Sequence, residues 1–274
     1  MISKPLVIGA LVAGTLVSAE AQWVNQPTAG VPRTKDGKPN LSAPAPKTAD
    51  GKPDLSGIWQ VEPPPPGEIE RLFGDNPEIA LSVPGDDLRV FPRYFVDVLV
   101  DFKPGEVSVR PEAAARKLDP SPACALPTLP LAYFIPLPIR IVQTPGLLVI
   151  LYEADHVFRQ IHMDGRKLPV DPQPSWLGYS VGRWEGRSLV VDTVGFNDKT
   201  TLDIIGHPRS ESLHLTERFT RRDYGHMELQ LTIDDPKTYT KPFTIRVNEL
   251  LAPDSDVLEY FCTENEKDQG RLDK

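Results

Sequence analysis

The chain changes character near Gly146. Beyond it, short runs of alternating apolar and polar residues recur at hairpin-length intervals, over 147–153, 157–163, 177–184, 188–193, 211–218, 226–234, 242–250 and 257–263. A period of two is the mark of a half-buried strand, because successive side chains point to opposite faces. Turn-forming residues separate the runs, among them Asp164-Gly165, Glu185-Gly186, Asp223-Tyr224-Gly225 and Asp234-Asp235-Pro236. A further strand starting at Gly57-Ile58-Trp59 brings the count to about nine, enough to close a sheet on itself. The pattern predicts a mainly β protein, an antiparallel up-and-down β-barrel, with a two-sheet β-sandwich as the alternative.

The half before Gly146 reads differently. Most of the 30 prolines fall there, which argues for irregular segments and against a helical bundle. Residues 22–56 read as an extended arm carrying a short repeat, Thr34-Lys-Asp-Gly-Lys-Pro-Asn-Leu-Ser42 and Thr48-Ala-Asp-Gly-Lys-Pro-Asp-Leu-Ser56. Each copy couples an Asp-Gly turn to an extended Lys-Pro step. The domain proper is expected over 57–274, with a proline-rich insertion at 62–145. Within the insertion, 68–73 suits one or two helical turns and 110–118 a helix with Pro111 in its first turn. The aromatic stretch 89–102 fits either helix or strand. From 120 to 145 prolines alternate with Leu, Ala, Tyr133, Phe134 and Ile, a composition that excludes regular sheet and suggests a lid or plug.

Alternation also sorts the strand faces. In 211–219, Leu213, Leu215 and Phe219 share a face with Glu217, while His214, Thr216 and Arg218 share the other. An acid among apolar neighbours is costly unless partnered. Glu217 therefore reads either as an ion pair with Arg159, Arg183 or Arg246, or as a carboxyl with a raised pKa poised for proton transfer. In 226–234, Met227, Leu229, Leu231 and Ile233 oppose His226, Glu228, Gln230 and Thr232. Pattern alone leaves open which side of the sheet is inside.

The first residues add a compartment. Lys4, an apolar run from Leu6 to Val17 and Ala19-Glu20-Ala21 make a cleavable export signal over 1–21, the run being too short for a bilayer span, which needs about 20 residues. The expected location is periplasmic or secreted, with no membrane span after cleavage. Export makes a disulfide the natural fate of the two cysteines, Cys124 and Cys262. The net charge is −8, and it stays there without the signal, which carries one Lys and one Glu. That balance disfavours nucleic acid as a partner and leaves a small-molecule ligand or substrate. Oligomeric state is left open.

The candidate chemistry gathers between 176 and 228. His207, His214, His162 and Glu217 are the candidate proton-transfer groups, since imidazole titrates nearest neutral pH. Arg166 and Arg218 suit a developing oxyanion or a substrate carboxylate. Trp176, Tyr179 and Trp184 suit an aromatic wall for a ring-shaped ligand, with Tyr133 and Phe134 supplied by the lid. Asn197, Asp198, Asp203, His207 and Glu211 are placed to gather at one barrel mouth. No HExxH, GxSxG, GxxxxGK[ST] or GxGxxG motif occurs, so no metal and no organic cofactor is expected.

Two resemblances follow from these residues. The Gly57-Ile58-Trp59 start resembles that of calycin or lipocalin-like barrels. The set 50–59 (DGKPDLSGIW), 143–146 (QTPG), 158–161 (FRQI), 163–166 (MDGR), 178–186 (GYSVGRWEG), 190–193 (VVDT), Gly195-Phe196 and 206–208 (GHP) resembles a family of exported, mostly uncharacterised bacterial proteins. Where that family often has an acid, this chain has Arg187, at a hairpin end. The resemblance implies one exported domain and carries no catalytic residues with it. Taken together, the residues suggest an exported enzyme, a lyase, hydrolase or isomerase acting on a small ring-containing molecule by His/carboxylate acid–base chemistry. The alternative is a non-catalytic periplasmic carrier of an apolar small molecule.

Overall fold

The strand from His226 to Asp234 occupies the span that alternation predicts, and its register shows which face is inside. Met227, Leu229, Leu231 and Ile233 are fully buried. They oppose Arg221, Phe219, Glu217 and Leu215 on one neighbour and Glu249, Val247, Ile245 and Phe243 on the other. The apolar stripe faces the barrel axis and the polar stripe faces out.

The computed structural model describes residues 27–74, 91–116 and 128–260. The expected export signal over 1–21 and the expected disulfide between Cys124 and Cys262 lie outside these residues. Nine strands close in chain order: β1 (Gly57–Val61), β2 (Ile139–Gln143), β3 (Leu147–Tyr152), β4 (Phe158–His162), β5 (Tyr179–Glu185), β6 (Ser188–Val194), β7 (His214–Arg221), β8 (His226–Asp234) and β9 (Phe243–Leu251). β1 pairs with both β2 and β9, so the sheet has no free edge. The fold is the closed barrel and not the sandwich.

Three expectations need correction. β2 lies inside the segment that its prolines seemed to exclude from sheet. Pro138 and Pro145 flank the five residues IRIVQ without interrupting them, so every N–H that the ladder needs is present. The strand expected over 257–263 does not form within its described part, where Tyr260 makes a single bridge to Ala154; β1 already fills the edge of β9 that another strand would need. The meander is also broken once. β4 and β5 pair in parallel through Ile161–Ser180 and His162–Val181, because the 163–178 connection returns the chain to the end of β4 running in the same direction.

Both barrel ends are covered by the proline-rich half. At one end, the arm's two repeats fold into matching turns. In each, Thr Oγ bonds the Asp side chain two residues on (Thr34–Asp36 and Thr48–Asp50, both 2.5 Å), and Gly37 and Gly51 take φ of 83° and 78°. Leu41 then lies against Gly225, whose N–H donates to Leu41 O. Leu55 is fully buried beneath Trp59, and its carbonyl accepts the indole N–H at 2.9 Å. At the other end, α1 (Glu68–Phe73), α2 (Arg93–Val96), α3 (Pro111–Ala114) and a 3₁₀ turn (Leu131–Tyr133) precede β2. Tyr94, Phe95, Val98, Tyr133 and Phe134 from this segment are buried in the core, so its described part caps and plugs the barrel. Among the described residues, no helix is long and apolar enough to cross a membrane.

Gly178, at the entry to β5, has φ of 68°, and a Cβ there would stand 2.6 Å from Thr193 Cγ2 and 2.8 Å from the Val194 carbonyl. Gly178→Ala is expected to destabilise the fold by about 1–3 kcal/mol in urea unfolding. A loss of a few tenths would mean that the loop relaxes freely.

Candidate functional site

The expected site residues fall into four separate places. The first is the barrel interior. Arg159 and Glu217 are both buried there, with side-chain exposures of 1% and 0%. Arg159 Nη1 donates to Glu217 Oε1 at 2.7 Å and to the Tyr133 hydroxyl at 2.8 Å. Nη2 donates to Thr193 Oγ1 at 2.7 Å and to Glu217 Oε2, and Nε donates to Ser180 Oγ at 3.0 Å. All five guanidinium donors are used. The Tyr133 hydroxyl also donates to Glu217 at 2.7 Å. Burial, with the Glu217 charge added, drives the Tyr133 pKa well above its ordinary value. Burial opposes the Arg159 charge, but the Glu217 carboxylate more than compensates. Of the two sequence readings of Glu217, the geometry matches the ion pair with Arg159. Phe134, fully buried, packs beside Tyr94.

The second place is the outer wall of β5–β7. His214 Nε2 lies 2.9 Å from Asp192 Oδ1, which also accepts from Thr216 Oγ1 at 2.9 Å. Arg183 bridges Asp192 and Glu185, and Glu185 takes a second bond from Arg218 at 2.5 Å. Burial works against the Asp192 carboxylate, but Arg183, Thr216 and His214 together hold its pKa below the usual range. This is a cross-strand ladder of ion pairs on an outward face, since Asp192 stands opposite Thr216 in the register.

A third group surrounds β4 and β5. The His162 ring packs on Tyr179 with centroids 5.2 Å apart, and Arg166 donates to the Tyr179 hydroxyl at 3.0 Å while pairing with Asp164 at 2.6 Å. Partial burial, then the nearby Arg166 charge, lowers the His162 pKa. Trp176 is 37% exposed, whereas Trp184 packs against the core. Among the described residues no ring contact joins Trp176, Tyr179 and Trp184.

The fourth place is the capped end, where 195–213 connects β6 to β7. Asn197 is buried and accepts from Arg209 Nη2 at 3.4 Å, while Asp198 and Glu211 are exposed. Arg209 is fully buried over the Phe196 ring, donates to Leu129 O, and has no partner at Nε; burial lowers its pKa to about 10. The connection doubles back at Asp203. Gly206, with φ of 95°, permits the turn, and Leu202 N–H bonds His207 O at 2.8 Å. Asp203 closes it. Oδ1 accepts from the backbone N–H of Gly206 (3.1 Å) and His207 (3.0 Å), and Oδ2 accepts from Val98 N–H at 2.8 Å. The turn brings His207 Nδ1 to 2.5 Å from Asp203 Oδ2 and 3.6 Å from Asp97 Oδ1.

This constellation differs from the other histidine–aspartate pairs. Asp203 is fully buried and fixed by three backbone donors, and the His207 side chain is 18% exposed, against 40% for His214. Burial disfavours the imidazolium, but the hydrogen bond and charge of Asp203 outweigh it, and the His207 pKa is raised. Burial also raises the Asp97 carboxyl, against the Leu99 N–H that it accepts and with Asp203 adding to the rise. Sequence reasoning placed Asp203 and His207 at a common mouth and missed Asp97. The available signal was an acid within the aromatic run from Phe91 to Phe102, where a charge needs a reason. His207 and His214, both candidate proton-transfer groups, hold different aspartates.

No family model matches the chain, and neither a curated protein nor a solved structure matches it.

Proposed function

We propose that the protein is an exported enzyme that handles protons at the capped end of the barrel, acting on a small ring-containing molecule by hydrolysis, elimination or isomerisation. The observation that carries this reading is the His207 ring held against Asp203, itself fixed by the N–H groups of Val98, Gly206 and His207. A carboxylate fixed in this way orients an imidazole and stabilises its protonated form, so the ring's other nitrogen is positioned to take or give a proton. The part-exposed histidine side chain offers access, and the second carboxylate, Asp97, adds negative potential. His207 takes precedence over His214, whose aspartate lies on the outer wall, and over His162, whose ring packs on Tyr179.

The test is turnover of a library of ring-containing esters, lactones and hydroxylated ring compounds by the mature protein. With any substrate found, His207→Gln is expected to lower kcat by about 10²–10⁴-fold, and His226→Gln, on the far side of the β7–β8 turn, to leave it unchanged. Full activity in His207→Gln would remove the assignment.

One observation favours a carrier as a second reading, though with a more polar guest than the sequence suggests. A cavity of about 710 Å³ lies at the opposite end, between the arm and the barrel, lined by Val31, Ile58, Val142 and Leu251 with Asp54 and Arg140. Its size is ordinary for a small-molecule site. The charged groups in its lining suit a polar guest better than an apolar one.

A further inference from the structure

The geometry points to a divalent metal ion of the zinc or manganese kind bound by Asp97, Asp203 and His207. One ligand atom from each lies within 4.8 Å of the other two. Two carboxylates and an imidazole nitrogen are a mixed hard and borderline donor set, suited to zinc, manganese or ferrous iron more than to calcium. Three protein ligands with remaining positions for water is the pattern of catalytic rather than structural zinc.

The second observation is charge. Elsewhere in the described structure, the buried carboxylate of Glu217 has a guanidinium on it and half-buried Asp192 has Arg183. Buried Asp235, which has no ion pair among the described residues, stands singly with Ser210 and Thr238 donating to it, and Glu249 is a single carboxyl that burial favours in its neutral form. Asp97 and Asp203 are brought together at the capped end with only His207 as an ionic partner among the described residues. Two carboxylates, one of them fully buried, facing one imidazole leave net negative charge at this mouth, which a divalent ion neutralises. The distances need little change. Tetrahedral ligands at about 2.1 Å from zinc stand about 3.4 Å from one another. The 3.6 Å between His207 Nδ1 and Asp97 Oδ1 already fits. The 2.5 Å contact to Asp203 opens by roughly 1 Å as the ion replaces the shared hydrogen. That hydrogen leaves as a proton from the imidazolium, or moves to Nε2 in the neutral ring. The inference rests on the same mouth being the functional site and refines it: with the ion in place, His207 is a ligand, and the ion's bound water becomes the group that gives up a proton.

The experiment is calorimetric titration of the chelator-treated, full mature chain with zinc chloride and, separately, manganese chloride. One site per chain is expected with at least one of the two ions. Asp97→Asn and His207→Gln are expected to weaken it about 100-fold or more, while Asp192→Asn, on the outer wall, leaves it unchanged. X-ray absorption on the loaded wild-type protein, which needs no variant to fold, should show one imidazole among oxygen donors. Wild-type protein that takes up neither ion, or a site that survives His207→Gln in folded protein, would overturn the inference. The two readings separate cleanly. Metal-free protein that retains turnover lost in His207→Gln sinks the ion and keeps the acid–base site. Stoichiometric binding with no turnover of any library compound keeps the ion and sinks the enzyme.

Discussion

Glu217→Ala is expected to cost about 3–5 kcal/mol of stability. The variant leaves Arg159 charged and enclosed, with a side-chain exposure of 1%, and strips it of the one anion paired with it among the described residues. Tyr133, Thr193 and Ser180 still accept from the guanidinium, but hydroxyls do not neutralise a charge taken out of water. Set against a total of about 5–15 kcal/mol for a typical domain, such a loss brings the protein close to unfolding at room temperature. Urea unfolding of the two chains measures it. A double variant, Arg159→Met with Glu217→Leu, is expected to be less damaging than Glu217→Ala, because an apolar pair of similar volume removes both charges together. A loss under about 1 kcal/mol in Glu217→Ala would mean that water reaches the pair.

The second large effect belongs to Glu249. It faces the barrel interior from β9, opposite Val61 and Met227, and it has no hydrogen-bond partner among the described residues. Burial alone pushes its carboxyl from an ordinary 4.5 up to about 8. A carboxyl whose folded pKa is raised binds its proton more tightly in the folded chain. Its contribution is therefore fully present below pH 4.5 and is lost as pH rises through about 8. At about 1.4 kcal/mol per pKa unit, the loss across that window is on the order of 3–5 kcal/mol. Glu249→Gln keeps the shape and cannot ionise. It should match the wild type near pH 5 and exceed it in stability near pH 9, with the difference growing between those values. Parallel pH profiles for the two proteins would show that Glu249 is hydrated or paired.

Neither of these residues is legible in the sequence to the same degree. Glu217 declares itself, because strict alternation puts an acid in line with Leu213, Leu215 and Phe219, and Arg159, Arg183 and Arg246 offer partners. That Arg159 supplies the charge depends on β4 presenting Arg159 and Ile161 inward and Phe158, 61% exposed, outward. Hydrophobicity alone would have turned that strand over. Glu249 was hidden in an expected strand whose inner face had not been assigned.

The candidate site shows the same division. The turn from Asp203 to His207 is local and rests on a glycine, so its residues were visible as a group richer in chemistry than a connector requires. Asp97 meets them from across the chain. The Val98 N–H that fixes Asp203 comes from a residue 105 positions earlier, and no periodicity carries information over that range. The aromatic residues divide for a related reason: Tyr179 and Trp184 stand five positions apart on β5, an odd separation that turns them to opposite faces.

What the chain by itself determined is most of the strand content after Gly146, the hairpin turns, the twin turns of the arm and the division into a proline-rich half and a β-rich half. All of these follow from interactions within a few residues: side-chain alternation, the φ that glycine permits, the donor that proline lacks. Only the closed tertiary structure decided which face is inside, that β2 pairs between its prolines, that β4 and β5 run parallel, and that Asp97 joins Asp203 and His207. These depend on burial, pairing and charge compensation between segments far apart in sequence, which exist only once the barrel has closed.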